Sequence, residues 1–247
     1  MAIDPTVDQT VPIVIDGAAP SEQVRAELAA AGRPVLLAFS RGKDSLVTWL
    51  ALREAGVDVR PFHLYLVPGL SFVDESVAEY ERFFGVKIPQ FPHPSLCRWL
   101  NALTFQPPER IAVIEAAQLP EPDYTDISRL LCTEVYGLDP EQTWTADGVR
   151  AADSPNRRSA MKQRGPWRER IHKVSPVWDW RIRHVREALA RHHCPLPPEY
   201  EWFGRSFDGL DIRFLEPIRR HRPQDYQTIL EWFPLADLEV FRAGLQR

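Results

Sequence analysis

The residues best equipped for chemistry lie in one short run, Phe39-Ser40-Arg41-Gly42-Lys43-Asp44-Ser45. A glycine at its centre lets the backbone come close to an oxyanion and take torsions barred to other residues. The amides of a helix starting here are unpaired and point at a ligand. Lys43 adds a point charge. Arg41 is a further phosphate-binding candidate in the turn, and the hydroxyls of Ser40 and Ser45 can donate to phosphate oxygens. Asp44 is the candidate Mg²⁺ ligand, directly or through water. The chemistry indicated is capture of a phosphate chain. The P-loop of ATPases and GTPases, a Gly followed after four residues by Gly-Lys and then Ser or Thr, is absent.

A second cluster follows a hundred residues on. Ala146 to Arg158 reads ADGVRAADSPNRR. Arg150 and Arg157 are planar, permanently charged forks suited to phosphate. Arg158 is their neighbour. The whole stretch from Asp147 to His193 is rich in Arg and Lys, while Glu109 to Glu141 is mostly acidic. Such a basic stretch in a neutral chain fits a local anionic ligand or a solvated face. His63 and Tyr65 end a second apolar run and, with Phe39, are candidates to border a base or ribose. Asp179 is expected to cap the helix after Trp180.

Three elements position the first cluster. Pro34 to Phe39 is a continuously apolar run, as a central parallel strand covered on both faces requires. The 40–45 turn follows, and Leu46 to Ala55 reads as a helix stopped by Gly56. The pattern then repeats, with a strand within Val57–Val67, a helix from Ser71 to Phe84 stopped by Gly85, and a strand at Val86–Phe91. Before them, Ser21 reads as the cap of a helix ending at Gly32. Beyond them, helices are expected near Ser95–Leu103, Ile111–Gln118, Asp126–Tyr136 and Trp180–His192. Strands are expected at Thr143–Val149 and Ile171–Val174, with a basic loop at Arg150–Arg170 between them. Two short helices, Pro223–Trp232 and Leu235–Leu245, close the chain. This order predicts an α/β fold: a doubly wound, mainly parallel sheet with a C-terminal helical extension. The expected divisions are an irregular arm at 1–20, the α/β domain at 21–194 and the helical extension at 195–247.

With 247 residues, 44% of them hydrophobic, the chain can bury a sizeable core. Its net charge of −4 gives no global pull toward nucleic acid or membrane. Its 23 Pro against 12 Gly imply fixed turns and helix stops. No apolar run approaches the length of a membrane span, and the N-terminus does not read as a signal peptide. Cys97, Cys132 and Cys194 are odd in number and lack close pairing, so a disulfide framework is not expected and a reducing cytoplasm fits. Three scattered thiols do not suit an iron–sulfur cluster, and the adjacent His192, His193 and Cys194 do not suit zinc. Neither metal is expected.

The Ser40–Ser45 string after a buried strand resembles the PP-loop of the adenine nucleotide α-hydrolase superfamily. It is most similar to the PAPS reductase-like branch, including bacteriophage-type members, and the likeness spans roughly Pro34 to Pro234. In that family Gly148, Val149, Arg150, Asp153, Ser154 and Arg157 would face the phosphate or sulfate end of the nucleotide. Lys173 to Trp180 is similar to a further family segment preceding a helix. The resemblance implies ATP, or PAPS, as ligand and Mg²⁺ as cofactor. It implies cleavage between the α- and β-phosphates, with transfer of AMP to an unknown acceptor and release of pyrophosphate. Lys43 and Arg150 are then the candidate catalytic residues, implied by the resemblance to stabilise charge on the leaving pyrophosphate. The alternatives are a PAPS reductase-like enzyme and a catalytically silent nucleotide-binding subunit. The nucleophilic Cys of true reductases has no counterpart here, which counts against reduction. A protein partner and a nucleic-acid acceptor are compatible with the reading, although no nucleic-acid module is evident.

Overall fold

The structure is a computed structural model and describes residues 10–245. In chain order its elements are α1 (Ser21–Ala31), β1 (Val35–Ala38), α2 (Lys43–Glu54), β2 (Val59–Tyr65), α3 (Ser71–Phe84) and β3 (Gln90–Pro92). Next come α4 (Pro94–Asn101), α5 (Pro108–Ala117), α6 (Tyr124–Glu134), β4 (Thr145–Ala146), α7 (Pro155–Arg164), β5 (Trp167–Arg168) and β6 (Lys173–Val174). The remainder is helical: α8 (Ile182–Arg191), α9 (Glu199–Phe203), α10 (Ile212–His221), α11 (Pro223–Trp232) and α12 (Asp237–Leu245).

The strands form one six-stranded sheet in the order β3-β2-β1-β4-β6-β5. Every pairing is parallel except β5 with β6. The protein is therefore an α/β protein with a mainly parallel sheet and a helical C-terminal region. β1 lies between β2 and β4, and its Val35, Leu36 and Leu37 are buried, which accounts for the unbroken apolar run. Strand order runs 3-2-1 on one side of β1 and turns to β4 on the other. That reversal is a switch point between β1 and β4, and sheets of this kind bind ligands outside the carboxyl ends of such strands.

The chain gathers into two units, and neither is continuous in sequence. The first comprises the described residues up to Phe62 together with Ile127–Pro195. The second comprises His63–Asp126 with the described residues from Leu196. This differs from the expected division at 194, because the C-terminal helices gather with the 63–126 segment. In the second unit Phe72, Val73 and Leu96 share a core with Phe214, Ile218 and Phe233. The expected arm at 1–20 falls partly outside the described residues. From Thr10 to Pro20 it has no helix or strand, yet Ile13 and Ile15 are buried against Ala151, Met161 and Trp178.

Several local expectations need correction. The segment Arg150–Arg170 is not a loop throughout, since it contains α7 and β5. Ser154 caps α7 by accepting the Arg157 N–H, and Pro155 occupies the first turn. The helix buries only Met161, so it shows no apolar stripe to read. β4 is two residues long, not seven, and β3 begins at Gln90. Helix α10, capped by Asp211, was hidden by Pro217 in its interior. Ser21 and Ser71 are the first helical residues rather than caps. Asp179 does not cap α8, whose N-cap is Arg181. Instead Asp179 accepts the Ser21 N–H at 2.9 Å and caps α1.

Candidate functional site

The 40–45 turn leaves β1 and enters α2 directly. Its torsions differ from expectation. Gly42 is the N-cap and is extended, with φ −74° and ψ 156°. The left-handed residue is Arg41, at φ 63°. For a non-glycine this conformation costs about 1 kcal/mol, so the surroundings must hold it. Arg41 is 1% exposed, so its guanidinium is buried rather than a surface cation.

Hydroxyls tie the turn to itself. Ser45 Oγ donates to the Gly42 carbonyl at 2.9 Å and lies 3.2 Å from Ser40 Oγ. The Gly42 N–H reaches Ser40 Oγ at 3.4 Å. Gly42 itself offers no side-chain cap, so the positive end of α2 is left to other groups.

The second cluster lies against this turn. A Cβ on Gly148 would stand 2.7 Å from the Asp44 carbonyl carbon and 2.9 Å from the Ser45 nitrogen. Only glycine fits there, and this is the close approach that brings the loop after β4 onto the first turn of α2. Arg150 is buried, and its Nε lies 2.9 Å from Asp44 Oδ1. Its Nη2 donates to Asp153 Oδ1 at 2.6 Å, and its Nη1 reaches the Trp180 carbonyl at 3.5 Å.

The result is a chain of alternating charge: Lys43, Asp44, Arg150, Asp153, Arg157. Lys43 Nζ meets Asp44 Oδ2 at 2.8 Å, and Arg157 Nη1 meets Asp153 Oδ2 at 2.6 Å. The three inner groups are two carboxylates and one guanidinium, of which Arg150 is buried, and with the two end cations the chain is net +1. The end side chains are 30% exposed at Lys43 and 49% at Arg157. Arg158 is also exposed. The arrangement can present a capless helix start and its end cations, each shared with a carboxylate, to an anion. Arg150, expected to touch phosphate, has its nitrogens directed to protein partners and acts here as the link between the two loops.

A further network escaped sequence reasoning. Asp147 pairs with Arg168, and its Oδ1 accepts from Ser175 Oγ at 2.7 Å and the Val149 N–H at 3.2 Å. It braces the loop carrying Gly148 and Arg150 against β5 and β6. The signal available was Asp147 beside Gly148, but nothing in the sequence marks its partners.

Of the base or ribose candidates, Phe39 donates its N–H to the Phe62 carbonyl at 2.8 Å, and His63 and Tyr65 follow on the same strand. Phe39 is 1% exposed and meets Trp49 edge-on at 5.2 Å, as a core residue of the first unit. His63 is buried in the second unit. Tyr65, in the same unit, packs beside that unit's core, and burial foremost, then Cys97, raises its hydroxyl pKa. The free thiols Cys132 and Cys194 are buried, and Cys97 is partly so. His192 pairs with Glu54 at 2.7 Å. Burial opposes ionisation of Glu54, but hydrogen bonds from His192 and Arg191 prevail and lower its pKa. Among the described residues no group of three or more His, Cys, Asp or Glu gathers as a metal site, and no helix is long and apolar enough to cross a membrane.

No family model matches the chain. Over 192 residues, 72% of its length, it is 28% identical to the uncharacterized protein MJ0066 of Methanocaldococcus jannaschii. The match covers 35% of that protein, so the chain spans about a third of the relative's length.

Proposed function

We propose that this chain binds an adenine nucleotide through its phosphates at the 40–45 turn and acts as a PP-loop enzyme that transfers AMP to an acceptor. The observation that carries the reading is the seating of Gly148 on the Asp44–Ser45 backbone, with Arg150 bridging to Asp44. Two motifs far apart in sequence thus form one cationic cradle at the switch point of the sheet.

In this reading an acceptor oxygen attacks the α-phosphorus. The new P–O bond forms as the bond to the α–β bridging oxygen breaks, and that bond's electron pair leaves with pyrophosphate. Lys43 and the α2 amides hold the phosphate chain, Arg157 flanks it, and positioning supplies most of the acceleration. Arg150 acts through Asp44, fixing the height of the turn. Asp44 would be the holder of an Mg²⁺ ion, which would reduce charge on pyrophosphate, once Lys43 had turned from its Oδ2 to the phosphates. Use of PAPS is the second reading, since the same cradle suits any adenine nucleotide with a terminal anion. Its reductase form is disfavoured because no Cys lies in either loop. A silent nucleotide-binding subunit would keep the cradle without turnover.

Calorimetric titration of ATP, PAPS and AMP, with and without Mg²⁺, tests the reading. ATP is expected to bind at least about tenfold more tightly than AMP, a difference of ~1.4 kcal/mol. Lys43→Ala should remove most of that difference with the melting temperature little changed, because Lys43 is a partly exposed cation at the start of α2 and Ala is a good helix former. Tight PAPS binding without ATP affinity overturns the choice of ATP. Pyrophosphate release above the Lys43→Ala background, with cell extract as acceptor source, separates the enzyme from the silent subunit.

A further inference from the structure

Helix α7 carries Arg157, yet little apolar surface holds it. From Val149 to Arg164 the buried residues are Arg150, Ala151 and Met161. Arg150 is engaged by Asp44 and Asp153. That leaves Ala151 and Met161 as the buried apolar anchors of the loop after β4 and of α7. Both belong to one small cluster, whose other buried members are Ile13, Ile15 and Trp178. The two isoleucines come from the segment before α1, where they alternate with exposed Pro12, Val14 and Asp16. That alternation is the mark of an extended segment lying with one face down. A segment near a terminus stays in place only when tied. Here the Ile13 N–H donates to the Asp179 carbonyl at 2.8 Å, Arg181 Nε to the Val11 carbonyl at 2.8 Å, and Trp178 Nε1 to the Ala19 carbonyl at 2.9 Å. The Ala151 N–H donates to the Trp178 carbonyl at 2.7 Å, so the loop after β4 hangs on the same residue. All these residues lie in the first unit.

We infer that this arm, through Ile13 and Ile15, is the clamp that positions α7 and, with it, Arg157. A ten-residue helix is marginal in water on its own, so the packing of its one buried side chain decides where it sits. Arg157 stands one turn before Met161 on the same side of α7, and the seating of Met161 therefore sets the height of Arg157 beside Asp153. Ile13 and Ile15 are positioning residues, acting through Ala151 and Met161. The role given to Arg157 rests on the nucleotide reading, and the clamp itself does not.

The test compares the full chain with Ile13→Ala/Ile15→Ala, with the milder pair Ile13→Val/Ile15→Val, and with Ile229→Val in the core of the second unit as a control. Without nucleotide, hydrogen exchange at amides 158–164 should rise at least about tenfold in the alanine pair, while α3 and α10 stay protected. ATP affinity should fall at least about fivefold with AMP affinity little changed, and in an Arg157→Gln background the alanine pair should weaken ATP binding little further. Ile229→Val should lower the melting temperature and leave ATP affinity unchanged. Should the alanine pair fail to fold, the valine pair is read in the same way, with the same directions and smaller changes expected. Unchanged exchange at 158–164 overturns the clamp. Faster exchange with unchanged ATP affinity, or losses that add fully with Arg157→Gln, overturns the positioning role. A wild type that binds no ATP sinks the nucleotide reading and the role of Arg157 with it, and exchange at 158–164 still decides the clamp.

Discussion

Gly148 and Arg150 do different work from the groups they hold. Gly148 has no room for a methyl group, since its nearest neighbours are the backbone atoms of Asp44 and Ser45. Gly148→Ala must therefore push the loop after β4 away from α2. The expected cost is about 1–3 kcal/mol, the range for overpacking a tight contact. It should appear as a lower melting temperature together with nucleotide affinity reduced at least about tenfold. A fall in stability with unchanged affinity would detach the contact from the site. Both motifs were legible as residue types, because phosphate chemistry restricts the choice to Gly, Lys, Arg, Ser and Asp. Their division of labour was not. Arg41 takes the left-handed torsion that was assigned to Gly42, because that torsion depends on where α2 starts and not on which residue tolerates it best. Arg150 faces two carboxylates, a geometry that depends on the course of the chain beyond Gly148.

Two helix starts show different kinds of cap, one borrowed from distant sequence and one local. The N-terminus of α3 is capped by Asp225 of α11, whose carboxylate accepts the Ser71 N–H at 2.6 Å, the Ser71 hydroxyl at 2.8 Å and the Phe72 N–H at 3.2 Å. Asp225→Ala should destabilise the protein by about 1–2 kcal/mol. Chemical denaturation should show the loss, while nucleotide affinity stays as it was. Helix α4 is capped by a histidine, which makes it pH-sensitive. His93 Nδ1 accepts the Ser95 N–H at 3.0 Å, and Nε2 lies 3.0 Å from the Tyr124 hydroxyl. Burial foremost, and then nearby Arg98, lowers its pKa from 6.5 to about 4. The unfolded chain thus takes up this proton first. The contribution of His93 is full above pH 6.5, falls as pH drops from 6.5 toward 4, and levels off below. Melting curves at pH 7 and pH 4.5 should show a larger acid loss for wild type than for His93→Asn, a variant that keeps an acceptor without titrating. Equal losses would contradict this. Strand and helix order was readable from apolar runs and glycine stops. Caps supplied from elsewhere were not, because a local pattern carries no record of a partner many residues away.

At the scale of the molecule, the fold class was legible because a buried parallel strand such as Val35–Ala38 requires an apolar run that few other settings produce. The grouping of the chain was not. A break in composition near Pro195 suggested an appendage, whereas the helices after it complete the core of the unit begun at His63. Such discontinuity leaves no mark in periodicity, since α10 and α11 are as amphipathic as helices of an independent domain. The candidate site, by contrast, lies wholly within the first unit, on loops that follow neighbouring strands.

Backbone amide shifts followed by NMR as ATP is added test that convergence most directly. The account predicts that Gly42, Lys43, Asp44, Ser45 and Gly148 shift most and saturate together with one dissociation constant. Saturable binding whose largest shifts lie in the 63–126 segment, with these five amides unmoved, would contradict it.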